Sequence, residues 1–75
     1  MKKYRWPVVI EKDEDGFYVA IVPTLRGCHT QARSLDDLMK RVKEAIRLCV
    51  EVQKKGGEPF KKTEIVGFQE IEVAI

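Results

Sequence analysis

The sequence predicts an α+β fold of order β-β-β-α-β, a small antiparallel sheet with one helix packed on one face. Three observations predict it. Apolar residues alternate with period two near both ends of the chain, Asp15-Gly16 supplies turn chemistry between the first two extended runs, and a run beginning at Leu35 carries apolar residues at helical spacing.

The first strand spans 4–11, with Tyr4, Trp6, Val8 and Ile10 on one side and Arg5, Pro7, Val9 and Glu11 on the other. Pro7 donates no ladder hydrogen bond, which places this part of the strand at an edge or beside a bulge. Lys12-Asp13-Glu14-Asp15-Gly16 turns the chain, Phe17 to Val22 returns as the second strand, and Pro23 stops it. After a turn at Arg26-Gly27, Cys28 to Ala32 forms a short third strand.

With Lys12 opposite Phe17, the residues Tyr4, Trp6, Val8, Ile10, Phe17, Val19 and Ile21 share one face. Arg5, Pro7, Val9, Glu11, Tyr18, Ala20 and Val22 share the other. The first is richer in large apolar groups and is predicted to carry the helix. The second is predicted to be a contact surface, with Arg5, Val9, Glu11 and Tyr18 as its candidate partner-binding residues. A slip of one residue would exchange partners across the hairpin.

The helix opens at Ser34, an N-cap whose hydroxyl accepts from the first turn, with Asp37 approximating the reciprocal arm of a capping box. Leu35, Leu38, Met39, Val42, Ala45, Ile46, Cys49 and Val50 form its apolar stripe. Asp36/Lys40, Asp37/Arg41 and Glu51/Lys55 place the acid four residues before the base, the order the macrodipole favours. Gly56-Gly57 ends it. A connection over 58–62 leads to a last strand over 63–75, in which Ile65, Gly67, Ile71, Val73 and Ile75 share a parity and Gly67 marks a bulge. So apolar a strand is a pairing template for a sheet edge or another copy.

Seventy-five residues make a single domain, 1–75. A chain this small buries only ~60% of its unfolded surface, so association with another copy is expected. Dimer or tetramer formation would run through the sheet face or the C-terminal strand. Lys plus Arg number 14 and Asp plus Glu 12, a net charge of +2, which gives no strong electrostatic case for nucleic acid. The apolar fraction of 44% is that of a globular chain, and no apolar run approaches the ~18 residues of a membrane span. Met1-Lys2-Lys3 leads into no secretory apolar segment, and a cytoplasmic location is expected.

No catalytic, cofactor or metal site is predicted. Cys28 and His29 are adjacent on a strand and point to opposite faces, so they do not form a nucleophile–base pair. The two cysteines lack metal-ligand spacing, and Cys49 falls in the helix stripe, where a small buried hydrophobe is the usual role. Asp13, Glu14 and Asp15 sit in a turn, whereas Asp36 and Asp37 sit at a helix start, so these acids do not converge on metal ions. Trp6, Phe17 and Tyr18 interleave with Arg5 and Lys12, a weak version of a base-stacking surface.

Asp15-Gly16-Phe17-Tyr18-Val19-Ala20, Val22-Pro23, Leu25, Gly27-Cys28, Thr30-Gln31 and Ser34-Leu35-Asp36-Asp37, followed by the amphipathic helix, resemble the HicB-like antitoxin family over residues 4–52. The family pattern carries Asp, Pro and Gly where this chain has Thr24, Arg26 and Ala32. Without Gly at 32, the backbone there must take negative φ or bear strain.

The resemblance implies a partial RNase H-like sheet with one helix and a partner, a HicA-type toxin. That toxin is an mRNA endonuclease with a double-stranded-RNA-binding-like fold and a catalytic histidine. The implied function is that of an antitoxin, not an enzyme, which occludes the toxin active site. No DNA-binding module follows the last strand, so the chain is expected to be a stand-alone member without DNA binding. Two further readings are a small RNA-binding module and a vestigial RNase H-like hydrolase.

Overall fold

In the computed structural model, which describes residues 3–60 and 63–75, the element order is β1 (Val9–Lys12), β2 (Tyr18–Ile21), β3 (His29–Ala32) and α1 (Leu35–Lys55). Among the described residues the strands make a three-stranded antiparallel sheet of order β1-β2-β3. The α+β class and the β-β-β-α order follow the sequence expectation.

The first hairpin turns on Asp13. Its Oδ1 accepts from the amides of Asp15 at 3.0 Å and Phe17 at 2.9 Å. Its own amide donates to the Phe17 carbonyl at 2.9 Å, and the Gly16 amide donates to the Asp13 carbonyl at 3.2 Å. Gly16 has φ +85°, a left-handed conformation in which a side chain is strained. This is a three-residue loop over 14–16, and it pairs Asp13 with Phe17.

Lys12 therefore lies opposite Tyr18, not Phe17, and Ile10 opposite Ala20. The expected register is off by one residue, and the faces of β2 exchange. Ala20 and Val22, expected on the contact surface, are wholly buried beneath the helix, while Phe17, Val19 and Ile21 point the other way.

β1 and β2 are shorter than the predicted runs. Asp13 and Phe17 form a hydrogen-bonded pair, and the alternation of an antiparallel ladder makes Glu11–Val19 and Val9–Ile21 the next such pairs. One step further, Pro7 would meet Pro23. Neither can donate, so the ladder ends at Val9. Trp6 and Val8 nevertheless pack against the core.

Between β2 and β3 the chain loops through Val22–Cys28. The Val22 amide donates to the Cys28 carbonyl at 2.9 Å, and the Cys28 amide donates to the Leu25 carbonyl at 3.3 Å. Val22, Leu25 and Cys28 turn inward and join Ala20 and Ala32 beneath Leu38 and Val42 of α1. Small alanines on the sheet let the helix lie close. Burial of side chains such as Leu38 and Val22 stabilises the fold by about 1.5–3 kcal/mol each.

The Ser34 Oγ accepts from the Asp37 amide at 3.2 Å, as a capping residue should. At the other end the Gly56 amide donates to the Val52 carbonyl at 3.0 Å, and Gly57 has φ +71°. Leu38 and Val42 are the buried centre of the stripe. Leu35 and Met39, also expected there, stay exposed on its flank, because α1 crosses β3 and β2 and leaves β1 uncovered.

The predicted last strand is not confirmed among the described residues. Residues 63–75 carry no regular secondary structure, are exposed throughout, and pair with no strand among the described residues. A strand exists only with an edge to bond to, and this segment meets none among the described residues. The predicted connection over 58–62 includes Lys61 and Lys62, which lie outside the described residues, as do Met1 and Lys2. The radius of gyration is 14.3 Å, against about 11 Å for a compact chain of this length.

Candidate protein-binding face

One face of the sheet lies under α1; the other is bare. The register puts Val9 and Glu11 of β1, Val19 and Ile21 of β2, and His29 and Gln31 of β3 on the bare face. Phe17 and Arg33, one step beyond the ends of β2 and β3, continue it. Ile21 stands between Val9 and His29, and Val19 between Glu11 and Gln31.

Val9, Phe17 and Val19 are half-buried, whereas Ile21 is 38% exposed. Around this apolar strip stand charged and polar groups. The Arg33 guanidinium lies 4.7 Å from the centroid of the Phe17 ring, a stacked cation–π contact. His29 Nδ1 is 3.1 Å from the Gly27 carbonyl, which leaves Nε2 directed away from that bond. Glu11 is exposed on β1. At one end, Val19, Ile21, Pro23 and Leu25 line a shallow hollow of about 420 Å³. An apolar centre with a mixed polar rim is the anatomy of a protein-recognition patch.

Of the residues predicted to contact a partner, Val9 and Glu11 stand on this face and Arg5 is exposed ahead of β1. Tyr18 does not join them. It faces the helix side, packs against the core, and carries the Lys12 ammonium 5.4 Å from its ring centroid. Its neighbours Phe17, Val19 and Ile21 take the place the sequence reading gave it. The signal that would have found them is the Glu14-Asp15-Gly16 loop length, reinforced by the opposition of Pro7 and Pro23.

Cys28 is buried in the core, whereas the adjacent His29 is exposed on the opposite face. Burial, together with a hydrogen bond and charge interaction with Cys49, pushes the Cys28 thiol up to about 12. It is a protonated core thiol and a poor nucleophile at neutral pH. Among the described residues no three His, Cys, Asp or Glu side chains gather where a metal ion could be held. No described helix is long and apolar enough to cross a membrane.

The positions that depart from the family pattern also have physical readings. Ala32 has negative φ, so no strain replaces the glycine. Arg26 is exposed and reaches Glu58 at 3.4 Å. Thr24 is buried, and its Oγ1 has no hydrogen-bond partner among the described residues.

These features define an α+β domain with a helix packed on β2 and β3 of one sheet face and the other face bare. The chain belongs to the HicB-like antitoxin family: the model for the HicB-like antitoxin of bacterial toxin–antitoxin systems matches residues 6–72. It is 56% identical over 69 residues to a UPF0150 protein of Archaeoglobus fulgidus, covering 92% of this chain and 94% of the relative. A UPF0150 protein of Synechocystis is 38% identical over 73 residues, covering 97% of this chain and all of that protein. One from Thermotoga maritima is 34% identical over 76 residues, with 97% of each chain covered.

Proposed function

We propose that this chain is a non-catalytic cytoplasmic antitoxin that neutralises a small HicA-type mRNA endonuclease by laying its bare sheet face over the toxin's active site. Membership of the antitoxin family supplies the class of partner. The observation that carries the reading is the apolar strip of Val9, Phe17, Val19 and Ile21, on the face of the sheet opposite the helix. Burial of such a strip drives association, and its polar rim sets orientation. Arg5 and Glu11 are proposed as rim contacts, with the Glu11 carboxylate suited to a protonated toxin histidine. Inhibition is steric: RNA is kept from the histidine that would cleave it.

The same face argues against a base-stacking RNA module. Arg33 already covers the Phe17 ring on which a base would stack.

Co-expression tests the reading. A HicA-type toxin encoded beside this chain should arrest growth alone and be tolerated when the chain is produced with it. Continued arrest with both proteins present and soluble would remove the neutralising role. RNA binding that weakens steeply with salt, with no toxin complex, would favour the alternative.

A further inference from the structure

The two edges of the sheet are unequal. At β3 the Arg41 guanidinium on α1 donates to the Gln31 carbonyl at 3.1 Å, so this edge is partly covered. Among the described residues the β1 edge has no such cover. In the ladder, Val9 and Glu11 bond inward to β2, which turns the amides and carbonyls of Val8 and Ile10 outward. Pro7 falls on the inward set, so its missing N–H costs this edge nothing. Above the same edge α1 does not reach, and Ile10 is left 46% exposed.

The chain itself carries a segment with complementary chemistry. From Glu70 onward, Ile71, Val73 and Ile75 alternate with Glu70, Glu72 and Ala74, and the three apolar residues are 78%, 69% and 120% exposed. Among the described residues the segment pairs with no strand of its own chain, its own β1 included. Laid parallel to β1 with Ile71 beside Trp6, it sets Val73 beside Val8 and Ile75 beside Ile10. That register also sets Glu70 beside Arg5 and Ala74 beside Val9. Ile71, Val73 and Ile75 then fall on the helix side, and Glu70 meets a base.

We infer that residues 70–75 of one copy add as a fourth strand to the β1 edge of a second copy, and that the exchange is reciprocal. Two copies then satisfy both free edges and both apolar tails in a closed two-fold dimer. Main-chain hydrogen bonds give the tail its strand, and the matched parity fixes its register. The pairing uses the edge and the helix side, so it stands independently of what the bare face binds.

Light scattering on purified full-length protein should give the mass of two chains. The double variant Ile71→Asp/Val73→Asp, which leaves the described core intact, should raise the dimer dissociation constant at least about 30-fold while keeping the circular dichroism of sheet and helix. In a Cys28→Ala/Cys49→Ala background, mixing chains bearing Ile10→Cys with chains bearing Ile75→Cys should yield a disulfide-linked hetero-pair on oxidation. A monomeric wild type would overturn the inference. So would a dimer unaffected by the double variant, or a chain bearing both new cysteines that closes only upon itself.

Discussion

Lys12 and Tyr18 face each other across the first hairpin, with the Lys12 ammonium 5.4 Å from the Tyr18 ring centroid. That pairing decides which side of β2 meets the helix. It turns Ala20 and Val22 toward the helix and leaves Val19 and Ile21 bare.

Aspartate substitutions at adjacent residues should therefore separate the two faces. Ala20→Asp buries a charge beneath α1 and should cost more than about 3 kcal/mol, enough to unfold a domain of this size. Val19→Asp should cost about 1 kcal/mol and leave the fold intact. Urea denaturation of the two variants reads the difference directly; equal losses would mean the faces are assigned wrongly.

Gly16 holds its left-handed conformation in open space, with no atom near where a Cβ would sit. Gly16→Ala should thus cost about 1–2 kcal/mol from backbone strain alone. Gly16→Asn should recover part of it, as asparagine tolerates that conformation better. Thermal melts of the two variants check the order.

Thr24 should gain from losing its hydroxyl. Its Oγ1 is buried without a partner among the described residues, so Thr24→Val removes an unsatisfied group at nearly constant shape. A stabilisation of about 1 kcal/mol is expected. A loss of similar size in urea would indicate a hydrogen bond to water at that position.

Cys28 should show the signature of a thiol protonated in the folded state. Its ordinary value is 9.0, and burial carries it to about 12. The folded protein then holds this proton more tightly than the unfolded chain. The resulting stability is fully present below pH 9 and is lost as pH rises toward 12. Stability should fall more between those limits in the wild type than in Cys28→Ala. In Cys49→Ala, alkylation of Cys28 at pH 8 should be at least about tenfold slower in the folded protein than in urea.

Much of the fold is legible in the sequence because its signals are local. Ser34, the helical spacing from Leu35 and the Gly56-Gly57 stop define α1 without reference to anything else. Asp15-Gly16 places the hairpin in the same way. The face assignment is not local, because one residue in the loop inverts every side chain of β2, and the four candidate contacts inherited that sensitivity. Val9 and Glu11 belong to β1 and stayed on the bare face; Tyr18 belongs to β2 and did not. The last segment eluded the sequence for a different reason. Residues 63–75 carry a strand's alternation, but a strand also needs a partner edge, and period two does not say which molecule provides it.

The claim that the bare face engages the toxin is tested most directly by calorimetric titration. The ligand would be a HicA-type toxin whose catalytic histidine has been replaced, so that it can be produced alone. Wild type is predicted to bind in a defined stoichiometry, and Ile21→Glu to bind at least about 30-fold more weakly while melting at nearly the same temperature. A folded Ile21→Glu that binds as tightly as wild type would contradict the assignment of this face.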